Sequence, residues 1–195
     1  MSPPHDASSP SGWCRRNAIP VHAVRRWRAA FSFVVTGLLI CAGPVRAAVA
    51  VGDAFPSLAV PGMAILGGGG DLPAMAGNVV LVDFWASWCP PCKASFPAMA
   101  KLHQDFARRG FVVVAVSVDE KLADAMRFVQ GMRPPFLTVH DREQNLVKQV
   151  TPPAMPTSYL IGRDGKVRFI HQGYHGGTSE RELRAGIESL LAEGK

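Results

Sequence analysis

The chain has 195 residues, 48% of them Ala, Val, Ile, Leu, Met, Phe, Trp, Tyr or Cys, and a formal net charge of +6, which fits one globular domain plus an extension. The basic excess lies in residues 1–47, with six arginines and one acid; the remainder has 15 basic and 14 acidic residues, so a basic nucleic-acid-binding face is not supported.

Residues 1–47 read as an export signal. Arg25-Arg26-Trp27-Arg28 forms a positive region, and Ala29 to Gly43 an apolar stretch of 15 residues, short for a spanning helix. Val45-Arg46-Ala47 and Ala48-Val49-Ala50 are two small-residue cleavage patterns. The alternative is a retained N-terminal membrane anchor, since 17 uncharged residues separate Arg28 from Arg46. Either reading predicts a domain over 48–195 outside the cytoplasm. Arg25-Arg26 lacks the flanks of a twin-arginine signal, and Ile40 precedes Cys41 where lipidation needs a small residue.

Residues 51–78 are broken by Gly and Pro and predict one or two edge strands. The run Gly67-Gly68-Gly69-Gly70 lacks the Lys-Ser/Thr of a phosphate loop and reads as a turn. Val79–Trp85 is a continuous apolar strand, expected to be buried on both faces. From Pro90 to Arg109 the spacing is helical, with Phe96, Met99, Leu102 and Phe106 on one stripe and Pro97 as a kink. Phe111–Val118 predicts a second buried strand, Lys121–Gln130 a helix stopped by Gly131, Phe136–His140 a short strand and Arg142–Gln149 a short helix. Thr157–Ile161 and Lys166–His171 form a hairpin around Gly162-Arg163-Asp164-Gly165. Thr178 or Ser179 caps a last helix, with Glu182 completing a capping box after Ser179. The order implies an α/β fold with a central mixed sheet and helices on both faces.

Cys89 and Cys92 carry the chemistry. They flank Pro90-Pro91 where the strand Val79–Trp85 meets the next helix. A helix N-terminus offers free N–H groups and a positive dipole end, which stabilise a thiolate on Cys89. Cys92, three positions on, shares its helical face and can close a ring with it. Proline is tolerated in a first helical turn, and the pair stiffens the ring. Cys14 and Cys41 belong to the leader. A purely structural bridge is the bland alternative, but so short a loop constrains little.

The run Val82-Asp83-Phe84-Trp85-Ala86-Ser87-Trp88-Cys89-Pro90-Pro91-Cys92-Lys93, then Pro97, Met155-Pro156-Thr157 and Tyr159-Leu160-Ile161-Gly162-Arg163-Asp164-Gly165, resembles the thioredoxin superfamily. Within it, the chain looks like the periplasmic TlpA/ResA-type thiol-disulfide oxidoreductases, from about residue 52 to 193. The resemblance implies a thioredoxin-like fold, no cofactor, Cys89 as nucleophile and Cys92 as resolving thiol. It implies that Asp83 is a buried acid exchanging a proton with Cys92, and that Pro156 is a cis-proline. The Met155 backbone would then face Cys89 and pair with an extended substrate, and Trp88 would flank the dithiol as a docking surface; plain packing is the alternative for Trp88. Implied partners are disulfide-bearing exported clients, such as apocytochrome c or copper-site assembly proteins, and a membrane thiol-electron donor. One position departs: Ser95 stands where many ResA-like reductases carry Glu.

Two other functions compete. A disulfide-donating oxidase would use the same dithiol, but no helical insertion is visible between Phe111 and Phe136. A copper-binding module would use Cys89, Cys92 and Met155, soft ligands suited to Cu(I). His171 and His175 have no evident third ligand for a metal. Arg108-Arg109 and Arg163 read as solvated charges, and the Thr/Pro pattern of a peroxidatic cysteine is missing.

Overall fold

The structure is a computed structural model that describes residues 48–193. The leader, with its signal-or-anchor alternatives, lies outside the described residues. The elements run β1 Met63–Gly67, β2 Val79–Trp85, α1 Pro90–Phe106, a 3₁₀ turn Ala107–Arg109, β3 Phe111–Ser117, α2 Leu122–Met132, β4 Leu137–Asp141, α3 Asn145–Val150, β5 Thr157–Ile161, β6 Val167–Gln172 and α4 Gly177–Ala192. The six strands form one mixed sheet in the order β1-β4-β3-β2-β5-β6. β2, β3 and β4 are parallel neighbours; β1, β5 and β6 join antiparallel.

Topology follows from handedness. The crossovers β2-α1-β3 and β3-α2-β4 step the same way along the sheet, so right-handed connections put α1 and α2 on one face. There they pack with α4: Trp85, Phe96, Met99, Leu102, Val129, Leu183 and Ile187 share a core with Cys89 and Cys92. Phe128 of α2 lies against Trp85 and Phe96, with ring centroids 4.5 and 5.0 Å apart. The other face is covered by α3, through Leu146 and Val150, and by Phe55 and Leu58 of the N-terminal segment. All seven residues of β2 are buried. Its even positions Val80, Val82 and Phe84 face the α3 side, and its odd positions Val79, Leu81 and Trp85 the α1 side.

Several boundaries differ from expectation. Gly131 does not stop α2, which runs on to Met132 and ends at Arg133 in the left-handed region (φ 45°), where Pro134-Pro135 supply no amide to continue it. The turn after β4 takes up residues 142–144, and the Asp141 carboxylate, accepting from the Asn145 and Val147 amides, starts α3 three residues later than predicted. The Ser179–Glu182 capping box does not form. α4 starts at Gly177 after Gly176, and Ser179 Oγ instead accepts from the His175 amide at 2.9 Å.

The four-glycine turn has one steric requirement. Gly68 has φ +89°, and a Cβ there would lie 1.9 Å from the Phe136 carbonyl oxygen, whereas Gly69 (φ +65°) has open space. Gly68→Ala is therefore expected to cost about 2–3 kcal/mol in urea denaturation, because backbone has to move as well as φ. Gly69→Ala should cost only about 1 kcal/mol, for its left-handed conformation alone.

Candidate active site

β2 ends at Trp85, and the segment Ala86-Ser87-Trp88 turns the chain into α1. Cys89 is the N-cap residue of that helix, in extended conformation (φ −99°, ψ 103°). Pro90 and Pro91 fill the first two helical positions and have no N–H. The first amide that the helix can offer is therefore that of Cys92, and it donates to Cys89 Sγ at 3.2 Å. The sulfur thus takes the place of the oxygen acceptor usual at an N-cap. Cys89 and Cys92 form a disulfide with Cα atoms 5.3 Å apart. Cys89 keeps 4% exposure and Cys92 none, so an incoming group reaches the sulfur of Cys89 first. Ser95 is buried and its hydroxyl donates to the Cys92 carbonyl at 2.8 Å. A neutral hydroxyl tied to the helix thus occupies the position of the expected acid.

Asp83 sits on β2 between Leu81 and Trp85, so strand alternation directs it to the face that α1 and the cysteines cover. It is fully buried. Ser158 of β5, in register with it, donates to Oδ1 at 2.5 Å, and Oδ2 has no partner. Burial pushes the Asp83 carboxyl up to about 7, against the smaller opposing effect of the Ser158 hydroxyl. It can therefore take up and release a proton near neutrality.

The Met155–Pro156 peptide bond is cis. Pro156 is buried, and its carbonyl accepts from the Gly173 amide at 2.8 Å, tying the loop to the end of β6. Met155 is half-buried and packs on the core that holds both cysteines. Its own amide and carbonyl form no hydrogen bond among the described residues. Trp88 is 68% exposed. It borders a cleft of about 520 Å³ lined also by Val118, Glu120, Lys121 and Val147. His171 Nδ1 lies 3.6 Å from Glu182, while the His175 ring lies beside Gly173. Among the described residues no group of three or more His, Cys, Asp and Glu is arranged to hold a metal.

The sequence reading missed the support behind the cysteine loop. Asp119, just past β3, is buried and its carboxylate accepts from the Ser87 amide (3.1 Å to each oxygen), the Ser87 hydroxyl (2.7 Å) and the Ser117 hydroxyl (2.8 Å). Its carbonyl lies 2.7 Å from Nε2 of the buried His140. Ser158 was missed too. The available signal was a lone polar residue in the apolar run Ser158-Tyr159-Leu160-Ile161, on a strand able to pair with β2.

A dithiol held this way undergoes one chemistry well, exchange with another disulfide. Placed at the end of a central parallel strand and joined with a cis-proline loop, it defines a thiol-disulfide oxidoreductase of thioredoxin-like fold. Residues 50–187 match the family model described as Redoxin, and the chain belongs to that family. It is similar to the thiol-disulfide oxidoreductase ResA of Geobacillus thermodenitrificans, 28% identical over 145 residues, covering 74% of this chain and 80% of that one. It is 33% identical to ResA of Bacillus subtilis over 103 residues, covering 53% of this chain and 58% of that one. A crystal structure from Chlorobium tepidum, assigned as a thiol:disulfide interchange protein DsbE, superposes with a TM-score of 0.63 at 32% identity, covering 74% of this chain and all of that one.

Two outcomes follow. A carboxyl whose pKa rises on folding costs stability above its unfolded value of 3.8, and the cost grows until pH passes about 7. Asp83→Asn should therefore stabilise the oxidised protein at pH 8, by up to about 4 kcal/mol, and change little at pH 4. Urea titrations at the two pH values test this; an equal effect at both would contradict the raised pKa. Asp119→Ala strands the Ser87 amide and the Ser117 hydroxyl and is expected to cost about 2–4 kcal/mol, against about 1 kcal/mol for Ser87→Ala.

Proposed function

We propose that this protein is exported and reduces disulfides of other exported proteins through the Cys89–Cys92 dithiol. The observation that carries the reading is the Cys92 amide directed at Cys89 Sγ on the first turn of α1, with Cys92 itself buried. In the reduced state that amide and the helix dipole favour the Cys89 thiolate. The thiolate attacks a client disulfide, one client sulfur leaves as thiolate, and a mixed disulfide forms on Cys89. Cys92 passes its proton to the Asp83 carboxylate, and its thiolate attacks Cys89 Sγ. The second client thiolate leaves, the Cys89–Cys92 bond forms, and two electrons have gone to the client. Met155 supplies free backbone for strand pairing beside the cis-Pro156 bond, Trp88 an exposed apolar surface, and Pro90 and Pro91 keep the first turn free of competing amides.

The leader with its positive and apolar regions supports export, by a cleaved signal or as an anchor in the inner membrane. A membrane thiol-electron donor then regenerates the dithiol. Exported apocytochromes and copper-site assembly proteins are the client classes that the ResA-type resemblance favours.

The reduction potential of the pair separates the two directions of flow. Equilibration with dithiothreitol or glutathione buffers is expected to give a value toward about −270 mV, that of a poor oxidant kept reduced; a value near −120 mV would make the protein a disulfide donor. Cys92→Ser should accumulate mixed disulfides on Cys89 in the exported fraction, and the double variant lacking Cys89 should accumulate none.

A further inference from the structure

Three strands align their side chains across the sheet. Asp83 of β2 is in register with Ser158 of β5, and Ser158 with His171 of β6, so all three point to the face covered by α1 and α4. α4 adds Glu182, whose carboxylate lies 3.6 Å from His171 Nδ1 and whose side chain is 59% exposed. The row thus runs from a fully buried carboxyl to solvent. We infer that Asp83, Ser158, His171 and Glu182 form a proton route that empties Asp83 after it has taken the proton of Cys92. This rests on the role proposed above for Asp83.

Each member has the chemistry required. The acid formed in the resolving step is fully buried, with Ser158 as its one hydrogen-bond partner, so its proton needs a path. Ser158 Oγ donates to Oδ1 when Asp83 is ionised; a hydroxyl can also accept, so the bond reverses once Asp83 is protonated. The His171 ring has an orphaned Nε2, buried and without a hydrogen-bond partner, which packing alone does not explain. Its Nδ1 faces a carboxylate. That favours the Nδ1–H tautomer and leaves the Nε2 lone pair directed inward as an acceptor. Burial lowers the His171 pKa, which keeps the ring neutral, while Glu182 opposes that effect and steadies the transient imidazolium.

The groups facing His171 are few. Glu182 comes from α4, Ser158 from β5, and the Phe169 ring stacks on it from its own strand, centroids 6.5 Å apart. Glu180, two residues before Glu182, is paired with Lys101, and His175 lies over Gly173. Against Asp83 stand Ser158 from β5 and the apolar Ala115 from β3. In the transfer, the Asp83 proton moves to Ser158 Oγ as the Ser158 proton passes to Nε2 of His171, its register partner on β6. The Nδ1 proton passes to Glu182 and then to solvent. Asp83 returns to carboxylate and no electrons move.

The test follows the proton rather than turnover. In full-length protein labelled with ¹³C-aspartate, the Asp83 carboxyl signal, identified by its loss in Asp83→Asn, is titrated from about pH 5 to 9. In the wild type it should move as one averaged line. In His171→Phe and Ser158→Ala, exchange should slow at least about tenfold and the line should broaden or split, while Ser158→Thr, which keeps the hydroxyl, stays averaged. Glu182→Gln, at an exposed site that does not endanger folding, should slow exchange several-fold. An averaged line of unchanged width in both His171→Phe and Glu182→Gln overturns the route and leaves Asp83 its role. An Asp83 signal that does not titrate in this range overturns that role, and the route with it. Both results are independent of the mixed-disulfide trapping that tests the dithiol.

Discussion

β2 is buried on both faces and bonded on both edges, to β3 in parallel and to β5 antiparallel. Everything the site needs is hung on that strand. Its C-terminal end fixes where α1 begins, and so where Cys89 becomes an N-cap. Its alternation decides that Asp83 and Trp85 face the cysteines while Phe84 faces the opposite core. Its antiparallel neighbour β5 brings the cis-proline loop to the same end of the sheet and sets Ser158 against Asp83. A register slip of one residue at β2 would exchange the two faces and remove the acid from the sulfurs altogether.

The same burial sets an electrostatic tension. At the helix N-terminus, an amide and the dipole favour negative charge on Cys89. Along β2, desolvation with a single hydroxyl partner disfavours it on Asp83. The two environments thus act on negative charge in opposite directions, and the Asp83 carboxyl, pushed up to about 7, stays close to its protonation midpoint near neutral pH. The two cysteines differ as well: Cys89 keeps 4% exposure and accepts the Cys92 amide, while Cys92 is fully buried.

Much of this was legible in the sequence because it rests on local rules. The all-apolar run Val79–Trp85 can only be an interior strand, Cys89-Pro90-Pro91-Cys92 follows it directly, and the stripe of Phe96, Met99, Leu102 and Phe106 fixes the face of α1. What could not be read depends on contacts between distant segments. Ser179 is spaced as a cap for α4, yet tertiary placement of Gly176 starts the helix earlier and gives Ser179 to His175. Gly131 has the sequence of a stop, but Met132 packs against the core one residue further on, and the helix ends at Arg133 just before the prolines. Ser158 and Asp119 acquire meaning only when β5 and the end of β3 are laid beside β2.

Three buried aspartates make that last point physical. Asp141 accepts from two backbone amides and starts a helix. Asp119 is enclosed by Ser87 and Ser117 donors and holds the loop that carries Trp88 and Cys89. Asp83 has one hydroxyl and one empty oxygen. Residue type is the same in all three, and so is burial; the number of donors differs. A carboxylate whose lone pairs are filled by donors serves as a structural tie, holding a loop or a helix start in place. Asp83, left short of donors in the interior, has its carboxyl pushed up to about 7 and lies on the β2 face that α1 covers. What sets Asp83 apart from the other two is therefore the hydrogen bonds withheld from it, not its residue type or its burial.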